Sequence, residues 1–194
     1  MRWWLMVVVV LMAVGGTTAS AQQETPEPGP NAVKLLPKAD LLGEGWMQTE
    51  VRGVDAAVDL FDEAAVASYG GPEGARAVVY SYLVTDSRAA VRQSWEATSR
   101  VFDNYRARLG YDYARDEQLA QIAAPEGCTE AKRSEGEHDA FFAPAAVTMC
   151  AADPDRIVIA VVMGGIDGVT DYTASDWLAG SAITGKPLQR PGTR

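Results

Sequence analysis

Histidine and cysteine are scarce in this chain. Its 194 residues include a single histidine, His138, and two cysteines. A Ser-His-Asp site needs a histidine beside a nucleophile, and the Gly-x-Ser-x-Gly turn that often presents such a serine is absent. The sequence therefore predicts no catalytic residues. A pair of carboxylates that only the fold brings together stays an open alternative.

Metal and nucleotide sites also lack their usual residues. His138 lies within residues 135–139 (EGEHD), which contain no second histidine at helical spacing and are typical of a hydrophilic turn. Residues 164–168 (GGIDG) follow a predicted strand but match neither the dinucleotide fingerprint nor the P-loop, and Asp167 and Asp171 would repel phosphate. The calcium-loop pattern is absent too. We expect no cofactor and no bound metal.

Negative charge predominates over the whole chain. The formal net charge is −9, and no run of basic residues occurs. Such a chain repels phosphate backbones and anionic lipid headgroups, so we expect neither nucleic acid nor an anionic membrane surface as a partner. The same acidity is typical of an ordinary soluble surface.

The N-terminus has the pattern of an export signal. Arg2 precedes an apolar stretch of about a dozen residues, and Ala19-Ser20-Ala21 supplies a small-x-small cleavage motif. We predict a signal peptide over 1–21, with an uncleaved membrane anchor as the alternative, because the uncharged stretch of roughly 20 residues would span a bilayer. In either case the rest of the chain lies outside the cytoplasm. A proline-rich leader (22–31), one domain (32–185) and a flexible tail (186–194) are predicted to follow.

Cys128 and Cys150 are the only cysteines in the chain. In an exported protein, two cysteines most simply form one disulfide. A redox or metal-binding pair is the alternative, but the cysteines lack Cys-x-x-Cys spacing and no paired histidine adds ligands. We predict a structural disulfide closing a loop of about 22 residues, worth about 3 kcal/mol in the chain-entropy relation.

Apolar periodicity predicts an α+β domain. Residues 157–163 (IVIAVVM) are apolar at every position and predict a central strand buried on both faces. Residues 55–69 have helical spacing, with an irregular extended segment as the alternative, and 134–139 (SEGEHD) predict a turn. Further strands are predicted at 45–51, 75–85, 128–133, 141–151 and 156–164, and helices at 88–109, 116–123 and from 173. We expect an antiparallel sheet with the long amphipathic helix and the C-terminal helix packed on one face.

Aromatic and basic side chains are the remaining candidates for contacts. Tyr111 and Tyr113 follow the predicted end of the long helix at Gly110, and we predict that they contact a ligand or partner. Five arginines give this helix a basic character, which indicates either a partner-binding face or a solvated face paired with nearby acids: Arg88, Arg92, Arg100, Arg106 and Arg108. Most other aromatic residues lie on periodic stripes typical of a core.

Three segments resemble a diffuse class of bacterial exported domains. Residues 35–37 (LLP) precede 41–46 (LLGEGW), and after a valine-rich strand residues 86–90 (DSRAA) begin the long helix. This arrangement resembles secreted or lipoprotein-type α+β domains of the extracytoplasmic sensor-like or PsbP/Mog1-like kind, over about half of the chain. The chain lacks the lipid-attachment cysteine of many such proteins. The resemblance carries over no functional residue and implies binding or scaffolding rather than catalysis.

Together these features predict an exported, non-catalytic binding or interaction domain at the bacterial cell envelope. Its partner would be an envelope protein or a small ligand, with membrane contact only if the N-terminal segment is retained. One alternative is a carrier of a small apolar ligand, which a deep apolar cavity would favour. The other is an enzyme using carboxylate or hydroxyl groups assembled by the fold, which converging desolvated carboxylates would favour.

Overall fold

An antiparallel sheet organises the fold. The computed structural model describes residues 26–54, 61–84, 88–110, 112–152 and 155–190; the predicted signal peptide and Tyr111 lie outside these residues. The six strands found there follow the order β1-β2-β3-β6-β5-β4. They are β1 (Met47–Arg52), β2 (Phe61–Gly70), β3 (Arg76–Val84), β4 (Glu130–His138), β5 (Ala143–Ala152) and β6 (Arg156–Met163). Two three-stranded meanders thus meet where β3 pairs with β6, and the predicted antiparallel α+β class is confirmed.

Helices cover both faces of the sheet. They are α1 (Pro30–Lys34), α2 (Ala39–Leu42), α3 (Arg88–Ala107), α4 (Tyr113–Ala120) and α5 (Tyr172–Thr184). In β6, Val158, Ala160 and Val162 pack in one core cluster with α1, α2 and α5. Ile157, Ile159 and Val161 face the other way and pack in a second cluster with α3. The expectation that the long and C-terminal helices share one face is therefore wrong: central strands that are apolar at every position need a cover on each side.

Two segments predicted from local pattern adopt a different structure. Residues 61–69, part of the predicted helix, form β2, because pairing with β1 and β3 overrides their helical spacing. The predicted turn at 134–139 is also wrong, since β4 continues to His138 and pairs with β5. Edge strands tolerate polar residues, and Glu135 on β4 forms an ion pair with Arg115 of α4.

The start of α1 is capped from the sheet. Gly29 offers no capping side chain, and Glu63 of β2 instead accepts hydrogen bonds from the backbone N–H of Asn31 (2.5 Å) and of Ala32 (3.0 Å). Desolvation raises the pKa of Glu63, but these bonds, with one from the Asn31 side chain, outweigh it and hold the pKa below its ordinary value. A carboxylate from a strand thus fixes α1 against β2.

The predicted Cys128–Cys150 disulfide is confirmed. It links the segment before β4 to β5, and Cys150 lies fully buried in the core beneath α5. The bond is compatible with an oxidising compartment outside the cytoplasm. Across the described parts of the chain, no helix has the length and apolar character needed to cross a membrane.

Candidate functional site

A cleft of about 480 Å³ opens at one end of the sheet, on the face that α3 covers. Strand register brings Gly70, Arg76, Met163 and Ala145 into one row across β2, β3, β6 and β5. The cleft lies at this row, and its lining includes Arg76, Tyr105, Arg108, His138, Phe141 and Met163. Residues far apart in sequence therefore converge because the two meanders meet at the centre of the sheet.

The end of α3 is held against the cleft by a close backbone approach. A Cβ atom on Gly136 of β4 would lie only 2.0 Å from the carbonyl oxygen of Leu109, so a side chain there would collide with the segment after α3. The backbone N–H of Asp139 donates to the carbonyl of Arg108 at 2.9 Å. These contacts place Tyr105 and Arg108 beside the end of β4.

His138 is 2% exposed and lines the cleft. Its Nδ1 accepts a hydrogen bond from the N–H of Ala140 at 3.2 Å, and the Asp139 Oδ1 atom lies 3.3 Å from the same nitrogen. When Nδ1 accepts, the proton of the neutral ring is on Nε2. No residue of the described ranges accepts a hydrogen bond from Nε2. Nε2 therefore has no hydrogen-bond partner among the described residues, and it is a donor when the ring carries its proton there.

Two arginines add positive charge to the same cleft. The Arg76 guanidinium carbon lies 4.5 Å from the centroid of the Phe141 ring, and this ring also contacts His138, with centroids 4.8 Å apart. Within the described ranges, neither Arg76 nor Arg108 forms an ion pair, and no carboxylate lines the cleft. In a chain of net charge −9, this is a local concentration of unpaired cations.

Tyr105 completes the wall on the α3 side. Its hydroxyl lies 3.0 Å from the hydroxyl of Tyr80, with the two rings edge to face. Burial raises the pKa of Tyr105, and the neighbouring Tyr80 raises it further. The hydroxyl therefore stays protonated across the physiological range and keeps its hydrogen-bonding capacity.

This arrangement is suited to holding an anion. Guanidinium groups and an imidazole N–H are donors that match carboxylate or phosphate oxygens. Nucleophilic catalysis would need a hydroxyl or thiol hydrogen-bonded to His138, and none of the described side chains makes that bond. In the described part of the chain, no group of three or more His, Cys, Asp or Glu side chains could hold a metal ion.

Of the two tyrosines singled out in the sequence, only Tyr113 is described, and it does not line this cleft. Tyr113 is the first residue of α4 and is 65% exposed, while Tyr111 lies outside the described residues. Arg106 of the basic helix forms an ion pair with Asp116, and Arg108, which follows the helix, lines the cleft. Sequence reasoning missed Arg76, which reaches this end of the sheet through strand pairing, and placed Phe141, three residues after His138, among the core aromatics.

Comparison of the chain with protein-family models, with curated proteins and with solved structures finds no match.

Proposed function

We propose that this protein is an exported, non-catalytic binding domain that takes a small organic anion in the His138 cleft. One observation carries the proposal: Arg76 and Arg108 line one cleft with His138, and no described carboxylate pairs with either guanidinium. Unpaired cations beside a buried donor gain more from an anionic ligand than from water alone, because charge-assisted hydrogen bonds are about twice as strong as neutral ones.

The ligand we propose has an anionic head and an apolar or aromatic body. The head, a carboxylate or a phosphate ester, would lie among the two guanidinium groups and the imidazole. The body would pack on Phe141, Val78 and Met163, which give the cleft its apolar surface. A volume of about 480 Å³ falls within the range of about 300–1,000 Å³ typical of small-molecule sites.

The proposed place of action is the bacterial cell envelope. The N-terminal signal pattern supports export, and a disulfide-bonded core suits an oxidising compartment. The envelope protein that we propose as a further partner would contact Tyr113, whose ring is exposed at the start of α4. The resemblance to exported sensor-like or PsbP/Mog1-like domains also supports a binding role.

Isothermal titration calorimetry with phenyl phosphate and phenylacetate tests the proposal. We expect saturable one-to-one binding of at least one anion, and none of the neutral analogue benzyl alcohol. Arg76→Gln with Arg108→Gln should weaken binding at least tenfold, because each removes a charge-assisted hydrogen bond. Arg52→Gln with Arg100→Gln removes the same charge from exposed positions outside the cleft and is the matched control. Equal affinity in both double variants would refute the assignment of this cleft.

A further inference from the structure

A second cleft, of about 530 Å³, lies on the opposite face of the sheet, between the α1–α2 segment and the chain that follows α5. Its apolar surface is formed by leucines and prolines, among them Leu35, Leu36, Leu41 and Leu188. Leu36 is 8% exposed and belongs to the core cluster beneath the cleft. The apolar surface of this cleft is thus continuous with the interior of the domain.

Hydrogen bonds fix the C-terminal wall of this cleft. The Trp177 indole N–H donates to the Leu188 carbonyl at 3.1 Å, and the Leu188 N–H donates to Ser181 Oγ at 3.3 Å. Arg190 Nη2 donates to the Leu41 carbonyl at 2.8 Å, which ties the wall to α2 across the opening. The cleft is therefore built from groups that the fold holds in place.

Basic side chains surround the apolar surface. Lys34, Lys38, Lys186 and Arg190 line the cleft together with a single acid, Asp40. Lys34 Nζ donates to Asn31, and Arg190 lies 3.4 Å from Asp167. Lys38 and Lys186 have no carboxylate partner among the described residues. An apolar surface next to two unpaired ammonium groups is complementary to a ligand that is apolar along its length and negative at one end.

We infer that this second cleft binds a single-chain amphipathic anion of the fatty carboxylate type. The alkyl chain would lie on Leu35, Leu36 and Leu188, with the carboxylate beside Lys38 and Lys186. The site is separate from the His138 cleft, since the two open on opposite faces of the sheet. This inference does not depend on the proposed function.

Calorimetry with monomeric dodecanoate, below its micellar concentration, tests the inference. We expect saturable binding that strengthens from octanoate to decanoate to dodecanoate, by up to about fifteenfold for each two methylene groups that become buried. Dodecyltrimethylammonium, with the same chain and the opposite charge, should bind at least tenfold more weakly than dodecanoate. The dependence of affinity on chain length thus tests contact with the apolar surface, and its dependence on headgroup charge tests contact with the lysines.

Matched variants locate the site. Lys38→Gln with Lys186→Gln should weaken dodecanoate binding about tenfold or more, while Arg52→Gln with Arg100→Gln and Arg76→Gln with Arg108→Gln should leave it unchanged. Equal affinity for the cationic and anionic detergents, or full affinity in the lysine variant, would overturn the inference. A protein that sediments with phosphatidylglycerol vesicles but does not bind monomeric dodecanoate would overturn it in favour of membrane docking.

Discussion

The Arg76 guanidinium carbon lies 4.5 Å from the centroid of the Phe141 ring, at the mouth of the His138 cleft. The ring is 43% exposed and also packs against the imidazole of His138. A cation over an aromatic ring at an exposed site gains about 0.5–1 kcal/mol. Phe141 therefore keeps Arg76 next to the histidine without neutralising its charge.

Replacing Phe141 tests this positioning role. Phe141→Ala should weaken anion binding by about two- to fivefold, because the guanidinium loses its support. Phe142 is the control: it adjoins Phe141, is 81% exposed and does not line the cleft. Phe142→Ala should leave the affinity unchanged. Calorimetry on both variants makes the comparison, and a larger loss in the Phe142 variant would contradict this arrangement.

Gly136 should be required for the end of α3 to reach β4. Gly136→Ala places a methyl group against the Leu109 carbonyl, and such overpacking costs about 1–3 kcal/mol. Anion affinity should fall as well, because Arg108 shifts with the displaced backbone. Ser134→Ala is the control on the same strand: its buried hydroxyl has no hydrogen-bond partner in the described structure, so its loss should be near neutral. Urea denaturation measures both, and equal stability of the two variants would contradict the close approach.

A buried ion pair holds α5 to the edge of the sheet. Arg133 Nε lies 2.8 and 2.9 Å from the two carboxylate oxygens of Asp176, and the guanidinium also donates to backbone carbonyls, including those of Leu119 and Ala123. Arg133→Met should lower the free energy of unfolding by about 3–5 kcal/mol, because it leaves the Asp176 charge and these carbonyls unpaired.

The partly exposed ion pair between Glu135 of the same strand and Arg115 of α4 is the control. Arg115 lies 2.6 Å from Glu135, but its side chain is 41% exposed, so Arg115→Gln should change stability little. Combining Arg133→Met with Asp176→Leu should cost less than the sum of the two single changes, since both charges are then gone. Additive losses in urea denaturation would contradict coupling between the two residues.

Stability should fall at alkaline pH because of three buried tyrosines. Burial raises the pKa of Tyr69, Tyr82 and Tyr105 above the ordinary value. In the unfolded chain, the pKa of tyrosine is about 10. When the folded-state pKa is raised, the protonated tyrosine contributes fully to the free energy of unfolding at pH values below the unfolded-state pKa. This contribution is lost as the pH rises from the unfolded-state pKa towards the folded-state pKa. Urea denaturation at several values from about pH 9 to 11 should show this decline, and Tyr105→Phe should reduce its slope. A Tyr105→Phe variant with the full wild-type slope would contradict a raised pKa at Tyr105.

Several elements could be predicted from sequence because local pattern and tertiary structure agree. The apolar residues of β6 must lie at the centre of the sheet, and they do: every residue from Ile157 to Met163 is buried. The apolar stripe on α3 likewise predicts a helix, and the cysteine pair predicts the disulfide, from local pattern alone. The prediction of a helix at β2 was wrong because the alanines of this segment fit a helix as well as a strand. Only pairing with β1 and β3 decides between the two structures.

The candidate site was largely beyond prediction for a similar reason. His138 could be recognised as the only histidine, but the polar residues around it predict a turn. In the structure these residues belong to β4, which pairs with β5 as far as His138. Arg76 begins β3 and Arg108 follows α3, and no spacing between them marks a site. The β3–β6 pairing and the approach of Leu109 to Gly136 bring them together, and both contacts are long-range.

The nuclear magnetic resonance signals of His138 provide the most direct test of anion binding in this cleft. The natural chain has one histidine, so its imidazole signals are unambiguous in protein without a histidine tag. At constant pH, titration with phenyl phosphate or phenylacetate should shift these signals saturably in the wild type and in Arg52→Gln/Arg100→Gln. In Arg76→Gln/Arg108→Gln the same shift should need at least tenfold more anion. Imidazole signals that stay unmoved in the wild type, or that move equally in both double variants, would contradict an anion site at His138.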